Sequence, residues 1–204
     1  DHLNESIQHV SRAISNKTAI QILSGIKIDA AYTGVTLTAS DTDISIQSFI
    51  PMEKDNKEII QIHEKGSVVL PAKFFVEIIK KLPSQEIEIE VKENFQAVIR
   101  SGSSEIQMVG LDPEEYPILP RLEEDQVLSV PGNLLKTMIK QTGFSVSTNE
   151  ATPILTGVLW DLDNQNLKFV ATDRHRLASR EMNIDSDPEL NFHNIVISGK
   201  TLIE

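Results

Sequence analysis

The chain has 204 residues, of which 40% are hydrophobic and 24% charged, with a formal net charge of −11 and no cysteine. This composition is typical of a globular protein that buries a core, and it excludes disulfides and thiolate metal sites. No apolar run approaches the roughly 20 residues that a membrane-spanning helix needs. The lack of cysteine favours an intracellular location, and the negative charge argues against nucleic-acid binding unless basic side chains are segregated on one surface.

The first half of the chain alternates predicted helices and strands. Residues 3–15 repeat apolar side chains at helical spacing, and residues 71–83 begin and end with proline around a second helical pattern. Runs that alternate apolar and polar side chains predict strands, and these lie at residues 19–29, 34–40, 43–50, 86–91, 95–101 and 104–110. A unit of helices and alternating strands of this kind indicates an α+β fold with mostly antiparallel sheet.

The second half begins after a segment rich in proline and acidic residues. Residues 110–126 show no periodicity and have the composition of a boundary. A helix is predicted over residues 131–144. We therefore predict a first unit over residues 1–118, a linker over 119–127 and a second unit over 128–204.

The two halves repeat one another, which is the strongest signal in the sequence. The segments that align, with hardly a gap, are 19–29 with 151–161, 35–41 with 167–173, and 68–77 with 195–204. Identical residues at aligned positions include Gly25 and Gly157, and Asp41 and Asp173. The first copy continues beyond Glu77 whereas the second stops at the equivalent Glu204, so we interpret the chain as a fragment of a longer protein.

Positive charge is concentrated on the predicted helices. The three helices at 3–15, 71–83 and 131–144 together carry six basic and two acidic side chains, whereas the rest of the chain has an excess of acids. Lysines on one helix usually do no more than keep its outer face solvated. Repeated over several helices, they predict a basic surface that contacts phosphates without reading bases, and the candidates are Lys73, Lys80, Lys136 and Lys140.

Six motifs together resemble one known family. They are ILSGIKI, SDTDISI, VVLPAKFF with KKLP, GLDPEEYP, PILTGV and ATDRHRLA, and they span nearly the whole chain. The sequence resembles the bacterial sliding clamp family, the beta subunit of DNA polymerase III, of the Bacillus-like type. The resemblance implies the DNA clamp fold, in which each repeated unit packs two helices on one face of antiparallel sheet. Three units per subunit and a head-to-tail homodimer form a cytoplasmic ring around double-stranded DNA at replication forks, without catalysis or cofactors. A third unit is absent from this chain.

The resemblance also implies individual site residues. Lys17, Lys73 and Asn149 match positions where the family contacts DNA. The second unit matches a pocket that binds short apolar peptide motifs of the DNA polymerase III alpha subunit and the clamp loader, and its residues are Leu155, Thr172, Arg174, His175, Arg176 and Leu177.

Three residues depart from the family pattern. Arg174 stands where the family has a small residue, Gln21 replaces a proline, and Thr152 replaces an arginine. We interpret these differences as those of a divergent second copy of the clamp, which predicts weak binding of standard clamp-binding peptides.

An enzyme is the alternative interpretation of the polar cluster at residues 173–176. His175 beside Asp173 could serve a hydrolase as an acid–base pair. However, neighbouring strand residues point to opposite faces, and the repeat places Asp41 at the position of Asp173 without an equivalent histidine. No metal site is predicted, because the five histidines show no ligand spacing.

Overall fold

Two units make up the chain, spanning residues 1–120 and 121–204. The structure, a computed structural model, describes residues 2–14, 20–41, 43–83, 86–119 and 127–203. Most of the linker predicted over residues 119–127 therefore falls outside the described residues. No helix in the described ranges is long and apolar enough to cross a membrane.

Unit one combines two helices with two antiparallel sheets. Its elements are helix α1 His2–Val10, strands β1 Gly25–Ala31, β2 Gly34–Ser40, β3 Ser45–Pro51, β4 Glu53–Lys54, β5 Lys57–Glu58 and β6 Gly66–Pro71, helix α2 Ala72–Lys81, and strands β7 Glu88–Val91, β8 Gln96–Ser101 and β9 Ser104–Val109. The strand orders are β3-β2-β1-β6 and β7-β8-β9, with β4 and β5 forming a separate hairpin. Both helices pack on the four-stranded sheet, where Ile7 of α1 and Phe75 of α2 are fully buried against Leu37.

Unit two repeats the first four-stranded sheet. Its elements are helix α3 Gly132–Thr142, strands β10 Gly157–Asp163, β11 Asn166–Thr172, β12 Leu177–Asn183 and β13 Phe192–Ser198, and helix α4 Gly199–Ile203. The strand order is β12-β11-β10-β13, and every pair is antiparallel. Met138 of α3 is buried against Phe169 of β11, so α3 covers the sheet as α1 does in unit one.

The repeat predicted from the sequence is confirmed down to the strand register. Lys27 pairs with Thr38 in unit one, and Leu159 pairs with Val170 at positions 132 residues later. A side-chain carbon added at Gly25 would lie 2.5 Å from Cγ1 of Val69, and one added at Gly157 would lie 2.5 Å from Cγ1 of Val196. Both units therefore have glycine at this position because the neighbouring strand leaves no room for a side chain. The α+β clamp architecture, with mostly antiparallel sheet and helices on one face, is confirmed.

The structure corrects one predicted strand and specifies two details that the sequence left open. The strand predicted from residue 19 begins at Gly25, because Ile22 and Leu23 are both buried in a 3₁₀ turn, whereas consecutive residues of a strand face opposite sides. On α2, Phe75 takes the inward position of the two adjacent phenylalanines, and Phe74 is 58% exposed. Residues 111 and 116, within the predicted first unit, belong to its fold, since Leu111 pairs with Val69 and Tyr116 is buried.

Candidate functional site

The Asp173 turn, residues 173–176, connects β11 to β12 and is organised by one carboxylate. Oδ1 of Asp173 accepts hydrogen bonds from the backbone N–H groups of His175 and Arg176, both at 3.0 Å. Oδ2 accepts from Nε of Arg176 at 2.9 Å. These bonds hold the pKa of Asp173 below its usual range, with the bond from the His175 amide as the largest cause. The sequence ATDRHRLA thus folds into a turn stabilised by its own aspartate.

Unit one contains the same turn with different side chains around it. Oδ1 of Asp41 accepts from the backbone N–H groups of Asp43 at 3.0 Å and Ile44 at 2.8 Å. The shared aspartate is therefore structural in both copies. Ile44, the equivalent of Arg176, is buried in unit one, whereas Arg176 is exposed in unit two. What distinguishes unit two is the set of exposed residues on the turn.

A pH dependence follows from the lowered pKa of Asp173. The ionised carboxylate stabilises the turn above its ordinary pKa of about 3.9, and this contribution is lost as the pH falls through the lowered value. In an NMR titration, we expect the amide signals of His175 and Arg176 to shift together with a midpoint below that of an ordinary aspartate. The Asp173→Asn variant, which cannot ionise, should show no such transition, and a midpoint at or above the ordinary value would contradict the prediction.

Apolar side chains lie at the end of this turn and on a second segment of unit two. Thr172 and Leu177 pair across β11 and β12, on the opposite side of the strands from the buried pair Ala171 and Ala178. Leu177 is 66% exposed. Leu155 is half-buried in the 3₁₀ turn Pro153–Thr156. We call Leu155, Thr172 and Leu177, together with Phe144, the apolar patch.

Phe144 belongs to this patch although the sequence did not indicate it. It was predicted as the last residue of the helix 131–144, but the helix ends at Thr142 and Phe144 lies in a following 3₁₀ turn, 58% exposed. The guanidinium carbon of Arg176 lies 5.6 Å from the centre of its ring. Arg176 is thus held between Phe144 and Asp173, and its charge is paired. The sequence did carry one signal for Phe144: an apolar residue directly after Gly143, the glycine at which the helix ends.

Arg174 connects the turn to a second segment of the patch. Its Nη2 donates a hydrogen bond of 2.7 Å to Oγ1 of Thr152, and the Thr152 carbonyl accepts from the N–H of Leu155. The structure therefore brings Thr172, Arg174, Arg176 and Leu177 together in one turn and links them to Leu155. His175 is exposed, and the hydrogen bonds described for it involve only its backbone.

The hydrolase alternative gains no support from this geometry. Both carboxylate oxygens of Asp173 accept bonds from the turn, and no hydrogen bond within the described ranges joins the carboxylate to the His175 ring. The same ranges contain no group of three or more His, Asp or Glu side chains positioned to hold a metal ion.

The predicted phosphate-contacting lysines are exposed. On α2, Lys80 and Lys81 share Glu77 as an ion-pair partner, at 4.0 and 3.5 Å, while Nζ of Lys73 lies 5.8 Å from the Phe74 ring centre. On α3, Lys136 and Lys140 are exposed, and this helix carries no acidic residue. Lys17 lies outside the described residues.

Asn149 is exposed in a tight loop ahead of the Leu155 segment. Its backbone N–H donates to Oγ of Ser147 at 3.0 Å, and its side-chain Oδ1 accepts from the N–H of Ala151 at 2.9 Å. Because the oxygen is engaged within the loop, the amide NH₂ is the part of the side chain suited to an anionic ligand. The loop thus presents a donor on a rigid turn.

A second apolar surface lies on unit one between α2 and β9. Phe74, Ile78 and Leu82 line it from the helix side, and Ile106 of β9 lines it from the sheet. Within the described residues, β9 is an edge strand, pairing only with β8 in its sheet. Exposed aromatic and aliphatic side chains beside an open strand edge are typical of a surface that another chain covers.

Comparisons with known proteins agree with the motifs. Residues 1–120 match the model of the DNA polymerase III beta subunit, N-terminal domain, and residues 129–204 match that of its central domain. The beta sliding clamp of Halalkalibacterium halodurans is 52% identical over 201 residues, and that of Bacillus subtilis is 52% identical over 204 residues. These alignments cover 98% and 100% of this chain but 53% and 54% of the relatives, so the chain spans about half their length.

Solved structures show the same likeness. The DNA polymerase sliding clamp from Bacillus subtilis superimposes with a TM-score of 0.96 at 50% identity, covering all of this chain and 53% of that one. The beta subunit from Streptococcus pyogenes gives a TM-score of 0.90 at 38% identity, covering 98% of this chain and 52% of that one. With the motifs, the repeated unit and both domain models in agreement, this chain belongs to the beta sliding clamp family of DNA polymerase III beta subunits.

Proposed function

We propose that this chain forms part of a DNA sliding clamp, a non-catalytic ring that encircles duplex DNA and tethers a DNA polymerase to its template. The observation that carries the proposal is the repeated unit with basic side chains on its helices and an apolar patch beside the Asp173 turn of unit two. Repetition suits a ring built from similar units, while the apolar patch of unit two suits docking of a separate partner. The proposed subcellular location is the bacterial cytoplasm, at replication forks of the nucleoid.

The proposed DNA contacts are weak and independent of sequence. Lys17, Lys73, Lys80, Lys136, Lys140 and Asn149 would contact phosphates. No zinc-binding or recognition-helix motif suggests that bases are read. Since Lys80 shares Glu77 with Lys81, its charge is partly neutralised, which favours sliding over tight binding. The strong negative charge elsewhere would repel DNA from the remaining surface.

The proposed partners of the apolar patch are short apolar peptide motifs of the DNA polymerase III alpha subunit and of the clamp loader. Tethering through such a motif raises the effective concentration of the polymerase at the primer end, so dissociation is followed by rebinding. The hypothesis of a divergent second copy, based on Gln21, Thr152 and Arg174, stays a prediction. Micromolar or tighter binding of standard clamp-binding peptides to the full-length protein, measured by fluorescence polarisation, would contradict that hypothesis.

Ring closure by a second copy of the full-length chain is the proposed role of the surface between α2 and β9. The edge strand β9 offers unpaired backbone groups to a neighbouring strand, and Phe74 and Ile106 offer apolar area beside it. In a homodimer closed head-to-tail, each subunit would contribute this surface to one of the two interfaces of the ring.

Topological attachment to DNA is the test of this function. After loading onto a nicked circular plasmid, we expect the full-length protein to stay bound through gel filtration at high salt, because a closed ring cannot leave a circle. Cutting the plasmid once should release it, because its phosphate contacts alone are weak and screened. Equal retention on circular and linear DNA, or on neither, would contradict the proposal.

A further inference from the structure

Arg174 adopts a backbone conformation that a long side chain rarely occupies. Its φ is 77°, in the left-handed region that costs energy for residues other than glycine. Its N–H donates to Oγ1 of Thr172 at 3.3 Å, so the turn itself helps to hold this conformation. This bond and the left-handed backbone set the direction in which the Arg174 side chain leaves the turn.

The guanidinium of Arg174 lies at the rim of the apolar patch. Its bond of 2.7 Å to Oγ1 of Thr152 joins segments 22 residues apart in the sequence. One of these segments is the turn that leads into Leu177, and the other continues from Thr152 into the turn that carries Leu155. A peptide whose apolar side chains cover Leu155 and Leu177 would therefore pass close to this cation.

The charge of Arg174 lacks a counter-charge on the described part of the chain. Arg176, two residues later, is paired with Asp173 at 2.9 Å, whereas no described carboxylate lies within ion-pair distance of Arg174. Its bond to Thr152 uses one of five guanidinium N–H donors. Although the chain has a net charge of −11, a cation with spare donors lies in the turn that leads into the exposed Leu177.

We propose that Arg174 makes the apolar patch selective for peptides that carry an aspartate or glutamate side chain beside their apolar anchors. Thr152 holds the guanidinium in the position that receives this carboxylate, so Arg174 determines specificity and Thr152 positions it. The proposal rests on peptide docking as part of the proposed function. A peptide fits better than a DNA phosphate because the guanidinium is fixed between the segments that bear Leu155 and Leu177.

The test uses the full-length protein and two fluorescent apolar peptides that differ only by one Glu→Gln change. Both peptides are amidated at the C-terminus, so the glutamate side chain is the only carboxylate by which they differ. We expect the glutamate peptide to bind about 3- to 10-fold more tightly, as a charge-assisted hydrogen bond at a partly exposed site allows. The preference should shrink as salt concentration rises.

Two variants separate the cation from its support. Arg174→Ser should abolish the preference, so that the glutamate and glutamine peptides bind with equal affinity. Thr152→Val, which removes the hydroxyl but keeps the side-chain shape, should reduce the preference without abolishing it.

The outcomes distinguish this inference from the function on which it rests. If neither peptide binds at the patch, docking itself is wrong. If both bind equally well to the unmodified protein, docking stands and the role of Arg174 is wrong. If Arg174→Ser leaves both peptide affinities unchanged but weakens binding to duplex DNA at low salt, Arg174 contacts phosphate and the inference is overturned.

Discussion

Replacing Phe169 by alanine is expected to destabilise unit two by about 3–5 kcal/mol, the usual cost of removing a fully buried aromatic side chain. Phe169 has no exposed surface, packs in the cluster around Met138, and stacks on Trp160 with ring centres 3.9 Å apart. Since Phe169 lies in β11, which leads into the Asp173 turn, the loss should also loosen the apolar patch. Urea unfolding, followed by the fluorescence of Trp160, measures the change.

Phe144→Ala is the matched control for this prediction. The same atoms are removed, but Phe144 is 58% exposed, so unfolding should change by no more than about 1 kcal/mol. Its effect should instead appear in peptide affinity, because Phe144 supports Arg176 beside the patch. Equal destabilisation by the two variants would contradict the assignment of Phe169 to the core and of Phe144 to the surface.

Leu177→Asp is expected to weaken binding of apolar partner peptides by about 100-fold or more. Burial of a leucine side chain contributes roughly 1.5–3 kcal/mol, and a carboxylate in its place would have to lose its water on binding. Because Leu177 is 66% exposed, the fold should remain stable within about 0.5 kcal/mol. Fluorescence polarisation with a labelled peptide measures the affinity, and urea unfolding of the same sample checks the stability.

The repeat offers the control for Leu177→Asp. Ser45 is the first residue of β3 and pairs with Ser40, as Leu177 is the first residue of β12 and pairs with Thr172. Ser45→Asp therefore introduces the same charge at the equivalent position of unit one, and peptide affinity should not change. If both variants weaken binding alike, the effect is one of net charge and the patch is not the docking site.

Local patterns allowed most of the fold to be predicted. Strict alternation in GVTLTAS placed β2, and the two prolines around residues 72–82 placed α2. The aligned glycines and aspartates indicated a repeated unit, because each pair serves one backbone arrangement. Gly25 and Gly157 allow the close approach of a neighbouring strand. Asp41 and Asp173 each accept backbone hydrogen bonds that stabilise a turn. Where apolar residues are adjacent, as at Phe74 and Phe75, periodicity alone did not indicate which one is buried. At Ile22 and Leu23 both side chains are buried, because a 3₁₀ turn replaces the predicted strand there.

The candidate site was predictable in part. The resemblance identified the segment around residues 172–177, and the repeat showed that Asp173 is structural. Phe144 was missed, because its importance depends on a contact with Arg176 across 32 positions of sequence. The bond from Arg174 to Thr152 was likewise not foreseen, although both residues were noted as departures from the family pattern.

The sequence by itself determined the α+β class, the repeat, the family and the segment that carries the candidate site, because these depend on residue identity and spacing along the chain. Only the tertiary structure decided which charges are paired. Arg174 and Arg176 are two residues apart and chemically identical. Arg176 is paired with the carboxylate of Asp173, whereas Arg174 donates a hydrogen bond to the hydroxyl of Thr152. The reason is that the turn directs neighbouring side chains to different partners, and the partner Thr152 is brought close only by the folding of unit two.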